Sequence, residues 1–265
     1  MVSMANRNDA ILSKEVLSMK PMDEVLDDFL ERLENGEPFA ISRWGDGEYR
    51  LIQKTPLMRT ESQVAHYKAW SYNPYNEYDI EAGQRIVDSL SYEAEGLYWG
   101  IPCLSCSHCN VSGEKHYQMY ENKSNLTYAN LFVNGNHEET QRTLPHILRN
   151  RNVVFVGNKD ADVSRLPFPI QKHFKVGNNA WLHDYEIIQE LKDYIRNSVN
   201  VGVVFLFACG PLSNYLITEI WKETQEHFLL DIGSAFDVEL YSRPTRGFHS
   251  GKGGYGKFCE WDNRE

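Results

Sequence analysis

Two mainly apolar runs constrain the fold of this chain of 265 residues more than any other feature of the sequence. One covers residues 152–156 and ends at Gly157-Asn158, and the other covers residues 201–208. Runs of aromatic and β-branched residues without polar alternation predict strands that are buried on both faces, as in a parallel sheet. Shorter strands are predicted at 39–42, 96–101, 174–176 and 229–231.

Helical periodicity fills the intervals between these strands. Residues 23–35 carry apolar side chains at helical spacing, and Asn35-Gly36 supplies a stop signal. Further helices are predicted at 80–90, 124–133, 138–149, 181–197 and 212–226, whereas 48–53 fits a helix or an extended segment. Strands that alternate with helices predict an α/β fold with a doubly wound, mainly parallel sheet.

Charge and composition limit the classes of partner. The formal net charge is −10, which argues against nucleic acid or an anionic membrane as the main partner. No apolar run is long enough to span a bilayer, and the polar first residues lack a signal-peptide core, so we expect a cytoplasmic protein. Five cysteines, an odd number, fit reduced thiols better than a complete set of disulfides.

The most informative polar stretch is Arg43-Trp44-Gly45-Asp46-Gly47-Glu48, directly after the first predicted strand. Carboxylates two residues apart can converge on one hard cation if the backbone turns sharply, and Gly47 permits such a turn. Arg43 adds a fixed positive charge suited to phosphate. The same residues also fit a solvated polar turn, which is common.

Other candidate ligand residues follow the later strands, where open α/β sheets bind their ligands. Gly210-Pro211 opens a helix whose free amides suit a phosphate, although an ordinary strand-to-helix turn looks the same. Arg246 could neutralise a phosphate and His249 could exchange a proton, or both could belong to a solvated basic tail. No dinucleotide-binding or phosphate-loop signature occurs, which disfavours dehydrogenases and nucleoside triphosphatases.

A third feature is the cluster Cys103, Cys106 and Cys109, with His108 among the thiols. Thiolates at this spacing could hold zinc, but a second ligand pair at suitable spacing is missing. The alternative is a surface loop with free thiols.

Taken together, these motifs resemble the GT-D glycosyltransferases, a family first catalogued as a domain of unknown function. The resemblance is carried by residues 42–48, 177–181, 208–211 and 230–233, in the family's order. It implies one Rossmann-like domain over 22–250, preceded by an N-terminal extension over 1–21 and followed by a tail over 251–265. It also implies a sugar-nucleotide donor, usually a UDP-sugar, with Mn²⁺, and it maps the metal-binding Asp-x-Glu element onto Asp46 and Glu48.

The resulting hypothesis is a glycosyltransferase that moves a sugar to a glycan or glycoconjugate acceptor. Asp46 and Glu48 would hold Mn²⁺ or Mg²⁺ on the donor diphosphate, and an inverting reaction would need a general base, for which the candidates are Asp231, Asp237 and His249 in that order. The residues expected to bind the nucleotide sugar are Arg43, Gly45, Gly157, Asn158, Asn179, Gly210, Pro211, Ser213 and Arg246. Alternatives are a metal-dependent phosphohydrolase or a non-catalytic, zinc-binding interaction module, and a homo-oligomer stays open.

Overall fold

A computed structural model of the protein describes residues 19–102, 120 and 123–250. Its centre is a sheet of seven strands in the order β3-β2-β1-β7-β6-β4-β5, and each neighbouring pair is parallel. The strands are β1 (Ala40–Arg43), β2 (Leu97–Ile101), β3 (Leu126–Tyr128), β4 (Val153–Asn158), β5 (Lys172–Val176), β6 (Val204–Ala208) and β7 (Phe228–Asp231). The prediction of a mainly parallel α/β sheet is therefore confirmed.

The two apolar runs explain the middle of this sheet. Every residue of β4 is buried, as are the first four residues of β6, and these two strands pair side by side. A strand with a neighbour on each side and a helix on each face has no solvent-facing position, so its sequence needs no polar alternation.

Helices pack around the sheet. The α-helices of the described residues are α1 (Met22–Asn35), α2 (Asp46–Gln53), α3 (Glu61–Tyr67), α4 (Glu77–Ser89), α5 (His137–Leu148), α6 (Ala180–His183), α7 (Ile187–Asn197), α8 (Leu212–Trp221) and α9 (Asp237–Tyr241). One group of helices is centred on α8, which packs on β1 and β7 and against α4 and α7. A second group is formed by α1 and α5, which pack against each other. The strong burial of α8, eight of its ten residues, follows from this central place.

The predicted helix at 124–133 is wrong, because residues 126–128 form the edge strand β3 and turns follow it. Trp99 pairs with Leu126 and Ile101 with Tyr128, so hydrogen bonding to β2 overrides the local apolar spacing.

The predicted single helix at 181–197 is instead two helices, α6 and α7. Asp184 leaves the helical conformation, and its carboxylate accepts the backbone N–H of Gly177 at 2.8 Å. The Tyr185 hydroxyl donates to the Ala82 carbonyl at 2.9 Å, which fixes the break against α4. These side-chain bonds to distant backbone groups compete with continuation of the helix.

Among the described residues, no helix combines the length and the apolar character needed to cross a bilayer. The cluster Cys103, Cys106 and Cys109, considered above as a zinc site or a loop with free thiols, lies outside the described residues, as do most of the predicted N-terminal extension and the whole predicted tail.

Candidate functional site

A cavity of about 820 Å³ opens at the carboxyl ends of the strands. Strand register makes those ends level, because Ile41 pairs with Leu230 and Phe207 pairs with Asp231. Ten of the predicted site residues line this cavity: Arg43, Gly45, Asp46, Glu48, Asn158, Asn179, Gly210, Asp231, Asp237 and Arg246. The sheet therefore brings together residues that are up to 203 positions apart in the sequence, from Arg43 to Arg246.

Arg43 is the last residue of β1 and lies across the end of β7. Its Nε donates to the Ala129 carbonyl, and its Nη1 lies 4.0 Å from Oδ1 of Asp231. Gly233 has a φ of +52°, and its backbone N–H donates to the same Asp231 oxygen at 3.1 Å. Arg43 and Asp231 are both largely buried, so their charges interact in a poorly solvated site.

Asn214, on α8, hydrogen-bonds to the end of β1. It is fully buried, and its amide donates to the Ser42 hydroxyl at 3.1 Å and to the Arg43 carbonyl at 2.7 Å. Nothing in the sequence marks this residue, since an asparagine in an apolar helix has no local signature. Its contacts with β1 show that it helps to fix the position of Arg43.

Asp46 and Glu48 lie in the first turn of α2 and not on the sharp turn at Gly47 that the sequence predicts. Helical residues two apart point in different directions, so the two carboxylates do not meet by local geometry. The Glu48 carboxylate turns back and accepts the Gly45 backbone N–H at 3.0 Å, whereas Asp46 is exposed at the cavity surface. Both still line the cavity.

Burial governs the protonation of the inner carboxylates. It raises the pKa of Glu48 to about 7, and repulsion from Asp231 and Asp46 adds to the shift while Arg43 opposes it. Burial also raises the pKa of Asp231 to about 6, against the opposing influence of Arg43 and the backbone N–H of Gly233. Near neutral pH, this part of the cavity therefore accepts positive charge readily.

Trp70 forms a wall of the cavity and is not among the predicted site residues. An ideal Cβ on Gly47 would lie 3.0 Å from its Cζ2, and one on Gly210 would lie 3.2 Å from its Cδ1. The indole therefore packs on both the start of α2 and the turn before α8, and it meets Trp181 edge-on with ring centroids 5.8 Å apart. The glycines in those two turns were the available signal, although nothing local identifies Trp70 as their partner.

The asparagines at the far side of the cavity are occupied by structural bonds. Asn158 donates to Asn178 at 3.0 Å and accepts the backbone N–H of Asp160 at 3.0 Å. Asn179 accepts the backbone N–H of Ser71 at 3.0 Å. These contacts join the ends of β4 and β5 to the segment before α4.

The chain after α9 forms the remaining wall. Asp237 is buried and accepts the Thr245 hydroxyl, and burial raises its pKa. The predicted proton-exchange role of His249 conflicts with its hydrogen bonds. Its Nδ1 accepts the backbone N–H groups of Thr245 and Arg246, and its Nε2 donates to the Ser234 carbonyl at 2.8 Å.

His249 also lies outside the cavity lining. Burial lowers its pKa to about 4, and the bond to Ser234 only partly opposes that shift. Because both ring nitrogens are bonded and the ring is neutral, we assign His249 a structural role.

Three predicted ligand residues also lie outside the lining. Gly157 is buried within β4, where a Cβ would meet the Phe155 ring at 2.4 Å. Pro211 is buried at the start of α8, and Ser213 is fully buried with its hydroxyl turned back to the Cys209 N–H at 3.3 Å. This turn reaches the cavity through Ala208, Cys209 and Gly210, and the φ of +61° at Gly210 turns the chain there.

A basic rim adds residues that the sequence analysis did not select. Arg59 and Lys68 line the cavity together with Arg246. Lys68 is paired with Asp160 at 2.8 Å, whereas Arg59 donates to the Trp70 carbonyl at 2.6 Å. The cavity thus has an acidic inner part and a basic rim.

Comparison with known proteins gives a consistent result for the fold. Residues 20–238 match the family model described as GT-D-like, a GT-D fold-like domain. No curated protein matches the chain.

Solved structures give the same answer. One, described as the highly conserved domain of unknown function 1792 with a distinct glycosyltransferase fold, is 16% identical with a TM-score of 0.53 and covers 87% of this chain and 84% of its own. Another, described as a new glycosyltransferase of that domain type from Streptococcus sanguinis, is 17% identical with a TM-score of 0.52, covering 88% and 84%. At this identity the likeness establishes a shared fold.

Proposed function

The chain belongs to the GT-D-like family, and on that premise we propose that it transfers a sugar from a nucleotide-sugar donor to a glycan or glycoconjugate acceptor. The supporting observation is that Arg43, Asp46, Glu48 and Asp231 line one cavity at the carboxyl edge of a parallel sheet. Ligands bind at this edge in open α/β folds. The family resemblance favours a UDP-sugar as the donor.

A divalent ion in this cavity would draw on the carboxylates that line it. Asp46 and Glu48 offer the hard carboxylate oxygens that Mn²⁺ and Mg²⁺ prefer. Within the described residues no three His, Cys, Asp or Glu side chains form a metal-binding group, so phosphate oxygens of the donor would complete the ligand set. A bound ion stabilises the negative charge that develops on a departing diphosphate.

The protein's own residues suit the remaining tasks. Arg43 is held by Ala129 and Asp231 and offers a fixed positive charge to the donor. If the reaction inverts configuration, Asp231 is the first candidate for the general base, since a pKa of about 6 lies close to working pH. Asp237 is the second candidate, because it lines the same cavity and burial raises its pKa.

Titration calorimetry with UDP, with and without Mn²⁺, tests the proposal. We expect the double variant Asp46→Asn, Glu48→Gln to lose about tenfold or more of the Mn²⁺-dependent UDP affinity. Glu190→Gln, an exposed carboxylate on α7 and so a matched control, should bind as the unmodified protein does. Full UDP affinity in the double variant would contradict the assignment.

A second measurement addresses the reaction itself. Release of UDP from a panel of UDP-sugars, measured with and without candidate acceptors, should depend on an acceptor. Release of free sugar or phosphate at the same rate without one would point to the phosphohydrolase alternative. The cytoplasmic location stays a prediction.

A further inference from the structure

Two arginines from distant segments line the basic rim of the cavity. Arg59 precedes α3, and Arg246 lies in the chain after α9, yet both line the same cavity. Arg59 donates to the Trp70 carbonyl at 2.6 Å, and Arg246 donates to the Tyr67 carbonyl at 2.5 Å. These bonds hold both guanidinium groups on the wall formed by residues 67–70.

Neither guanidinium is neutralised within the described residues. The ion pairs there, taken to 4.0 Å, include no carboxylate partner for Arg59 or Arg246. Asp46 acts on Arg59 and Asp237 on Arg246 only from longer range. Burial and then repulsion from Arg246 lower the pKa of Arg59, so the two charges disfavour each other.

We propose that Arg59 and Arg246 form an oxyanion subsite, distinct from the Asp46 and Glu48 carboxylates, that takes a phosphate or carboxylate group of a substrate. A guanidinium binds oxyanions through paired N–H donors. Arg59 keeps donors beyond its bond to Trp70, and Arg246 keeps donors beyond its Nη1 bonds to the Tyr67 and Thr245 carbonyls. The backbone carbonyls do not neutralise the repulsion between the two guanidinium groups, whereas an anion bound between them would.

Helix capping alone does not account for this arrangement. The carboxyl end of α3 attracts cations, and Arg243 also donates there, to the His66 carbonyl. Arg243, however, does not line the cavity. It therefore serves as a matched control, with the same carbonyl-binding role on the same segment and no access to a cavity ligand.

The assignment of this oxyanion to a substrate rests on the proposed function. Under that function the oxyanion has two sources. It is either the donor diphosphate or an anionic group of the acceptor. The shared chemistry is tested first, by calorimetry with inorganic pyrophosphate in the presence of a chelator. This measurement needs neither metal nor nucleotide, so it can succeed or fail independently of UDP binding.

We expect Arg59→Gln and Arg246→Gln each to weaken pyrophosphate binding about tenfold, the scale of a charged hydrogen bond, and Arg243→Gln to leave it unchanged. Equal effects of all three substitutions, or no pyrophosphate binding by the unmodified protein, would overturn the subsite. Arg59→Lys and Arg246→Lys retain the charge and should restore part of the affinity. Thermal unfolding of each variant separates lost binding from lost folding.

A second titration identifies the source. If the donor diphosphate occupies the subsite, UDP with Mn²⁺ should also bind about tenfold more weakly to the two glutamine variants. If an acceptor anion occupies it, UDP affinity should be unchanged and the UDP-saturated protein should still bind pyrophosphate. Failure of UDP to bind at all, with pyrophosphate binding retained, would sink the proposed function and leave the subsite standing.

Discussion

The guanidinium of Arg43 fills the space that a side chain on Gly233 would need, because a Cβ there would lie 1.9 Å from Nη1. The same glycine turns the chain at a φ of +52° and donates its N–H to Asp231. Residue 233 thus controls the placement of both charged groups at the inner end of the cavity.

Gly233→Ala should therefore displace Arg43 and weaken UDP binding, in addition to straining the backbone. Gly202→Ala is the control, since Gly202 has a φ of +68° but no atom within 4 Å of an added Cβ. Both variants should lose about 1 kcal/mol of unfolding free energy from the left-handed backbone. Urea unfolding and calorimetry would check this, and equal UDP affinity in the two variants would refute the role of Gly233.

A second prediction concerns the contact between Trp70 and Gly47. Alanine in a helix is normally favoured over glycine by about 0.5–1 kcal/mol. Gly83→Ala on α4 should show that gain, because its Cβ would make only ordinary contacts from 3.5 Å outward. Gly47→Ala should instead push the indole aside and reduce ligand affinity.

The coupling is measurable in a double-mutant cycle with Trp70→Ala. If the indole transmits the effect, Gly47→Ala should have little further effect on UDP affinity once Trp70 is absent. Additive losses in calorimetry would mean that Gly47 acts independently of the ring.

Cys209 should be chemically inert in the folded protein. It is buried beside Ser213, and burial raises the pKa of its thiol to about 12. Because the thiolate is the reactive species, iodoacetamide at pH 8 should label it roughly a thousandfold more slowly than an ordinary cysteine. Peptide mass mapping with and without urea would show this, and fast labelling without urea would contradict it.

His249 should make stability depend on pH in a defined window. Its pKa is about 4 in the folded protein, against 6.5 for an ordinary histidine. As pH falls from 6.5 to 4, this histidine takes up a proton in the unfolded chain but not in the folded protein. The free energy of unfolding therefore decreases over this range. Above this window His249 adds no pH dependence.

His249→Gln isolates this contribution, because the other titrating groups are common to both proteins. Urea unfolding at pH 7.5 and pH 5 should show a smaller loss of unfolding free energy in the variant. A variant whose loss equals that of the unmodified protein would show that His249 titrates normally.

The sheet was predictable because β6 is apolar throughout and β4 is apolar up to its last residue, and only burial on both faces tolerates such sequences. The edge strand β3 was not, since its three residues form a strand only through pairing with β2. The same distinction applies to the site. Residues at the carboxyl ends of strands, such as Arg43 and Asp231, are placed by the sheet, and their chemistry is visible in the sequence.

Trp70 and Arg59 were not predictable, because they belong to residues 54–72, whose placement depends on contacts with distant segments. The hydrogen bonds of His249 were not predictable for a related reason. Its residue type suggests proton exchange, but partners at 234, 245 and 246 occupy both ring nitrogens.

The pairing of β1 with β7 has a consequence for biosynthesis. Arg43 leaves the ribosome long before Asp231, because Asp231 lies 188 positions further along the chain. Domains are synthesised from the amino end, and contacts between remote segments form slowly. A nascent polypeptide that ends before β7 exposes one side of β1 and lacks Asp231 and Gly233, so the cavity at this edge of the sheet is complete only after β7 has been translated.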